Sequence, residues 1–282
     1  MPTDGSHPEH GPEKGAAVFL FAHQDDEFAI FSEIENCIRT GYRAVCVYLT
    51  TGAFKNEKRR IAQRNRESIA ALRRLGVPPR DVFFLGEANV IPDGQLHTRL
   101  DIAFCAVSAL MKSMGIFVQR LYISAWEGGH QDHDAVHLVG QAIARQHGLL
   151  GSTRQFSLYH GKGLPWIFFR VLSPIEENGP VQRHNVSMVD RLRHLTMYFH
   201  YRSQLKTWIG LFPFVVVNHI FVGQQELQPV ESTCYHQRPH AGRLLYERRR
   251  FCSFAEFSKY SQKFIDSQIS EESTLGRNST RE

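Results

Sequence analysis

The sequence predicts an α/β fold, a mostly parallel sheet flanked by helices with a smaller mixed C-terminal extension, and three observations carry that expectation. From residue 16 to about 150, short apolar runs alternate with longer amphipathic stretches, the pattern of repeated βαβ units. Two of the apolar runs end in clusters of histidine and aspartate, which a parallel sheet would bring together at its carboxyl edge. Hydrophobic residues make up 42% of the 282 residues and charged ones 22%, a composition that suits one globular core and excludes a mostly disordered chain.

The first run, residues 16–22, reads as a buried strand, and a helix pattern follows from Glu27 to Arg39, ended by Gly41. Ala44 to Leu49 forms a second strand that runs into the loop Thr50-Thr51-Gly52. Residues 58–75 set Ile61, Ser68, Ile69, Leu72 and Leu75 among many arginines, an amphipathic helix stopped by Gly76 and Pro78. Val82 to Leu85 is a third strand, Pro92-Asp93-Gly94 a turn, 96–114 a helix and 120–125 a fourth strand. Past 150 the segments 155–160, 166–172 and 214–222 look strand-like and 188–206 helical, which predicts an antiparallel extension or lid. The domain plan is therefore a flexible arm over 1–15, one domain over 16–270 (core 16–150, extension or lid 151–270) and a disordered tail over 271–282.

Several classes are excluded at this level. There is no run of about eighteen apolar residues, so no integral membrane segment is expected, and the first fifteen residues lack the apolar stretch of a secretory signal. The five cysteines, Cys37, Cys46, Cys105, Cys234 and Cys252, are odd in number and lack CxxC spacing, which points to a reducing, cytoplasmic setting. The net charge of +5 includes the clusters Lys58-Arg59-Arg60 and Arg248-Arg249-Arg250, read as solvated basic faces; no nucleic-acid module is present. The expected partner is a small molecule, and a homo-oligomer is left open.

The chemistry lies in Ala22-His23-Gln24-Asp25-Asp26-Glu27 and in Gly128-Gly129-His130-Gln131-Asp132-His133, each directly after an apolar run. So many ionisable groups at a strand end resist desolvation unless a cation compensates them. His23, Asp26 and His133 offer two imidazoles and a carboxylate, which suits Zn²⁺, tolerates Fe²⁺ and leaves coordination positions for water and substrate. Asp25 and Asp26 are adjacent and cannot both face a metal in a regular conformation, so Asp25 is assigned as general base. His130, three residues before His133, is assigned to oxyanion stabilisation and protonation of the leaving amine, and Glu27 to the helix N-terminus.

The pair AHQDDE at 22–27 and HQDH at 130–133 resembles the AHPDDE and HxDH motifs of the LmbE-like (PIG-L type) zinc de-N-acetylases. The resemblance implies a Rossmann-like α/β fold and removal of an acetyl group from an N-acetylglucosamine conjugate in carbohydrate metabolism. It also implies His23, Asp26 and His133 as zinc ligands, Asp25 as base and His130 as electrostatic and acid partner. Arg64 and Glu67 look like the family's Arg-x-x-Glu helix, and Asp93 like the loop aspartate that shares the sugar hydroxyls with that arginine, so Arg64 and Asp93 are the substrate-binding candidates. Two departures stand out: Gln24 replaces the usual proline, and Gly128 stands where some members carry a tyrosine. Beyond 150 only Tyr201-Arg202-Ser203-Gln204 is similar, to a YxSQ segment near the family's site. The alternatives are a zinc amidase or esterase acting on a non-sugar acyl compound, and a non-catalytic sugar-binding protein of the same fold. A dinucleotide site is disfavoured because no glycine-rich loop follows the first strand.

Overall fold

The computed structural model describes residues 14–55, 57–230 and 237–279. The arm expected over 1–15 lies almost wholly outside the described residues, as do Cys234, His236 and the last three positions. The first half runs β1 (Ala16–Phe21), α1 (Phe31–Arg39), β2 (Arg43–Tyr48), α2 (Lys58–Arg74), β3 (Val82–Phe84), α3 (Leu85–Ala88), α4 (Leu100–Ser113), β4 (Val118–Ser124) and α5 (Gln131–Gln146). Then follow β5 (Thr153–Phe156), the short pair β6 (Tyr159–His160) and β7 (Arg170–Val171), β8 (Gln182–Asn185), α6 (Met188–Met197), α7 (Leu205–Val217), β9 (Gln224–Pro229), α8 (Leu245–Arg248) and α9 (Phe254–Ser279).

Every residue of β1 is buried, which requires a central strand covered on both faces. Its side chains alternate between two cores. Val18 and Leu20 face Val107, Val136, Val139 and Phe257 of the α4, α5 and α9 layer. Phe19 and Phe21 face Ile34 and Leu72 of α1 and α2, and Met197 and Trp208 from the second half. The seven-stranded sheet has the order β3-β2-β1-β4-β5-β9-β8. The first five strands are parallel, and β9 and β8 extend the edge antiparallel. The chain reverses its direction of travel across the sheet between β1 and β4, so the segments leaving these two strands, 22–27 and 125–130, splay apart and leave a crevice.

The structure departs from the sequence reading in three places. Residues 214–222, read as a strand, continue α7 and then a π-helical turn over Asn218–Val222. The apolar, β-branched run there is ambiguous in periodicity, and the length of the segment together with burial of Trp208, Leu211 and Val215 at helical spacing decides for a helix. Of 166–172, only Arg170–Val171 pairs, with Tyr159–His160. Helix α9 extends to Ser279, through most of the stretch read as a tail, and buries Phe257, Ser261, Phe264 and Ile265 on one face.

At the carboxyl edge Gly86 packs directly on the Thr50 backbone, just past β2, with no room for a Cβ. Gly86→Ala is expected to cost about 1–3 kcal/mol through overpacking. Urea unfolding measures this, and an unshifted midpoint would mean the α3 backbone gives way freely.

Candidate metal centre

The loop after β1 is folded by its own carboxylates. Asp26 Oδ2 accepts the backbone N–H groups of Ala22 and His23 at 3.0 and 2.7 Å, which turns the chain sharply and aims Oδ1 at His133 Nε2, 3.2 Å away. Asp25 takes a backbone conformation of φ +126°, ψ −16°. A non-glycine residue held there stores about 1–3 kcal/mol of strain. Its effect is to separate two adjacent carboxylates: Asp26 faces the histidines, while Asp25 Oδ1 lies 3.2 Å from Arg64 Nη2. Glu27 stands, as the sequence suggested, at a helix start, in the first turn of the short 3-10 helix Asp26–Ile30. It is fully buried, accepts the Asp25 N–H at 3.0 Å and receives the Tyr201 hydroxyl at 3.0 Å.

The second cluster opens α5. His130 is the N-cap, its Nδ1 accepting the Asp132 N–H at 3.2 Å. That bond leaves Nε2 as the protonated nitrogen of the neutral ring. His133 stands one turn further in. The ring centroids of His23, His130 and His133 are 4.8 to 5.3 Å apart. Asp132, fully buried, accepts the N–H groups of Gly94 and Leu96 at 2.5 and 3.0 Å and lies 3.1 Å from His23 Nε2. Asp93 Oδ1 approaches the same nitrogen at 3.2 Å and His130 Nε2 at 4.0 Å. The two sequence clusters thus converge on one cavity of about 200 Å³, whose wall includes His23, Asp25, Asp26, Arg64, Asp93, His130 and His133.

Charge in this cavity is unbalanced. Asp25, Asp26 and Asp132 are buried and the Asp93 side chain is nearly so, while Arg64 is the one buried arginine or lysine among the described residues. Burial works against protonation of His23, yet Asp93, Asp26 and Asp132 raise its pKa well above that of an ordinary imidazole. Burial likewise opposes ionisation of Asp26, but His133 and His23 hold its carboxyl well below the usual range. Burial pushes Asp25 up to about 8 against the pull of Arg64. Burial and the charge of His23 lower His130 to about 4, so it is neutral near neutral pH. Among the described residues, His23, Asp26 and His133 each offer a ligand atom within 4.8 Å of the others, and so do His23, His130 and Asp132. A divalent cation fits this donor set and would supply the positive charge that the carboxylates now draw onto His23.

Arg64 reaches the cavity from the buried face of α2, but its guanidinium donates to Gly52 O at 2.5 Å, Gln24 O at 2.7 Å and Asp25. With its amide oxygen turned inward, Gln204 accepts from the same guanidinium. Ser203 donates its N–H and hydroxyl to Glu67. Residues 201–204 therefore do stand at the site, behind Asp25. Gln24 holds the loop by donating to Asn65 Oδ1 at 2.8 Å, a bond in place of proline's fixed torsion. Gly128 has φ +70°, and a Cβ there would meet Leu244 at 2.6 Å, so any larger side chain at this position would be strained. Tyr159 lines the cavity with its ring 5.3 Å from His133. Tyr159, Thr207 and Arg249 were not legible as site residues, because nothing in their local pattern distinguishes them from strand, helix or surface positions, and Asp132, though inside the second histidine cluster, was given no role there. His160, His219 and His240 bond backbone carbonyls and stand away from the cavity.

Residues 18–144 match the family model described as PIG-L, GlcNAc-PI de-N-acetylase. No curated protein matches the chain by sequence. Among solved structures, a deacetylase of the teicoplanin biosynthesis pathway aligns with a TM-score of 0.58 at 15% identity, over 77% of this chain and 98% of that one. A zinc-inhibited form of teicoplanin deacetylase gives 0.58 at 14% identity over 77% and 98%. N,N'-diacetylchitobiose deacetylase from Pyrococcus horikoshii gives 0.52 at 15% over 81% and 88%. At these identities the likeness shows the shared α/β fold.

Metal content and stability should move together. Zinc at a hundred times its Kd is expected to add about 2.7 kcal/mol to unfolding, read as a rise in Tm over chelator-treated protein. His133→Ala should lose the bound metal and that rise; retention of both would remove His133 from the ligand set.

Proposed function

Since residues 18–144 are a PIG-L family segment, we propose that the protein is a divalent-metal hydrolase that removes the N-acetyl group from an N-acetylglucosamine-type amino sugar conjugate. The observation that carries this reading is the meeting of His23, Asp26 and His133 within 4.8 Å, with Asp25 and His130 on the wall of the same cavity. His23, Asp26 and His133 would hold the cation, Zn²⁺ or Fe²⁺, which when bound acidifies water and polarises an acyl carbonyl. Asp132, held by two backbone N–H groups and 3.1 Å from His23 Nε2, orients that imidazole as a supporting carboxylate.

Asp25 takes the proton of the attacking water. Its pKa near 8, set by burial against the pull of Arg64, makes it an effective base for that step, and a cation beside it would bring the value down toward neutral. Arg64, with its donors engaged by Gly52, Gln24, Asp25 and Gln204, positions Asp25 and acts on the substrate only indirectly. The neutral Nε2–H of His130 donates to the oxygen on which charge develops. With its pKa held to about 4 the ring carries no second proton to give, so the departing amine receives the proton that Asp25 took from the water, a correction to the acid role assigned to His130 from the sequence. Asp93, on the wall between His23 and His130, is the carboxylate available to sugar hydroxyls. Intact Asp25 and His130 argue against a binding protein without turnover.

The test is acetate release by zinc-loaded protein over a panel of N-acetylglucosamine conjugates and simple acyl amides. Conjugates are expected to be turned over and plain amides not; the reverse preference would favour a non-sugar amidase. Asp25→Asn is expected to keep its metal and lose about 10²–10⁴-fold in kcat. Undiminished turnover in that variant would rule Asp25 out as the base.

A further inference from the structure

Helix α7 turns an apolar face to solvent. Ile209 is 70% exposed and Phe221, on the turn that follows, 79%. Leu205, Phe214 and Val217 are also exposed, and Thr207 is the one polar residue among the exposed side chains described on this helix. The neighbouring loop adds Trp166 at 82% exposure, with Ile167 and Phe168. These segments form one surface. The Phe169 ring lies 5.2 Å from Phe214, Phe199 lies 6.2 Å from Phe212, and Arg248 donates to the carbonyls of Leu164 and Trp166, fixing the loop against α8. A patch of this extent marks an interaction site.

The charges around it choose the occupant. Between Asp190 and Glu226 the sequence has no carboxylate and carries Arg191 and Arg202 besides Arg193, which is paired with Glu35 and Asp190; residues 161–175 carry Arg170 besides Lys162, which is paired with Glu177. Arg249 and Arg250 follow on the same side, Arg249 stacked over Phe169 at 5.3 Å. Two copies of such a face would set cation against cation, whereas an anionic headgroup layer complements it. Exposed tryptophan and phenylalanine beside basic residues suit the headgroup boundary. No helix of the described residues is long and apolar enough to cross a bilayer, so the contact is a surface one.

We propose that this face seats the protein on an anionic lipid surface, with α7 lying in the headgroup boundary. Thr207 and Leu211 of α7, together with Arg249, also line the metal cavity, so the seated face borders its mouth. The proposal does not depend on the reaction assigned to that cavity.

Of the three tryptophans, Trp126 and Trp208 are buried, so emission shifts on binding report Trp166. The full chain is expected to sediment with vesicles of phosphatidylcholine doped with phosphatidylglycerol, with a blue shift, and to bind pure phosphatidylcholine at least about tenfold more weakly. Trp166→Phe should silence the shift while sedimentation persists. Ile209→Glu with Phe221→Glu should abolish sedimentation while circular dichroism and metal content stay unchanged. The proposal fails if the chain does not sediment with anionic vesicles, or if the double variant sediments as before. It fails also if the chain is a dimer that the double variant dissolves and that ignores vesicles, which would assign the face to a second copy.

Discussion

A surplus of buried carboxylates is the constraint around which this protein is arranged. Asp26 and Asp132 are taken out of water within one crevice, with Asp93 beside them and with Asp25 pushed by burial toward its protonated form, against a single buried guanidinium among the described residues. Leaving such groups uncompensated would cost several kcal/mol each. Backbone N–H groups relieve part of the burden: two bind Asp26, two bind Asp132, and α5 directs its N-terminus at the same point. The remainder is met at His23, where three carboxylates draw positive charge. A divalent cation would answer the same electrostatic demand with more charge in less space, and that demand follows from where the sheet topology brings these carboxylates.

The surroundings give two neighbouring carboxylates opposite tasks. Asp26 is bound from behind by the chain and from the front by histidines, which keeps it ionised and still. Asp25 is twisted out of the allowed region for most residues and pinned by Arg64 on its carboxyl and Glu27 on its amide. Strain at this residue is held by the structure around it, since Glu27 is tied to Tyr201 and Arg64 to Gln204. Pre-organisation here is a property of α2 and of the 201–204 segment as much as of the loop itself.

Much of this was legible in the sequence because it is local. β1 and the later half of β4, from Leu121, are apolar runs, and their ends carry the ionisable clusters, so the convergence of His23, Asp26 and His133 followed from parallel topology alone. What was not legible depends on tertiary direction. Arg64 falls on the buried face of α2, with Ile61, Ser68 and Leu72, and the periodicity could have placed it inward; its engagement with Gly52 and Gln24 could not be read. Asp132 sits inside a motif whose other members drew attention away from it. The run from Leu205 to Val222 is apolar on nearly every side, which erases the periodicity that separates helix from strand. The buried positions of α9 recur at helical spacing but lie at 257–265, ahead of the polar stretch from 271 that looked like a tail.

The links from Tyr201 to Glu27, from Gln204 to Arg64 and from Ser203 to Glu67 have a further meaning for modularity. The segment 18–144 contains His23, Asp26, His130, Asp132 and His133, yet the groups that brace Asp25 in its twisted pose come from some sixty residues beyond its end. An excised N-terminal half would retain the ligands and forfeit the brace. The two halves are thus not a catalytic module with an appendage, but one machine whose tension is anchored at both ends.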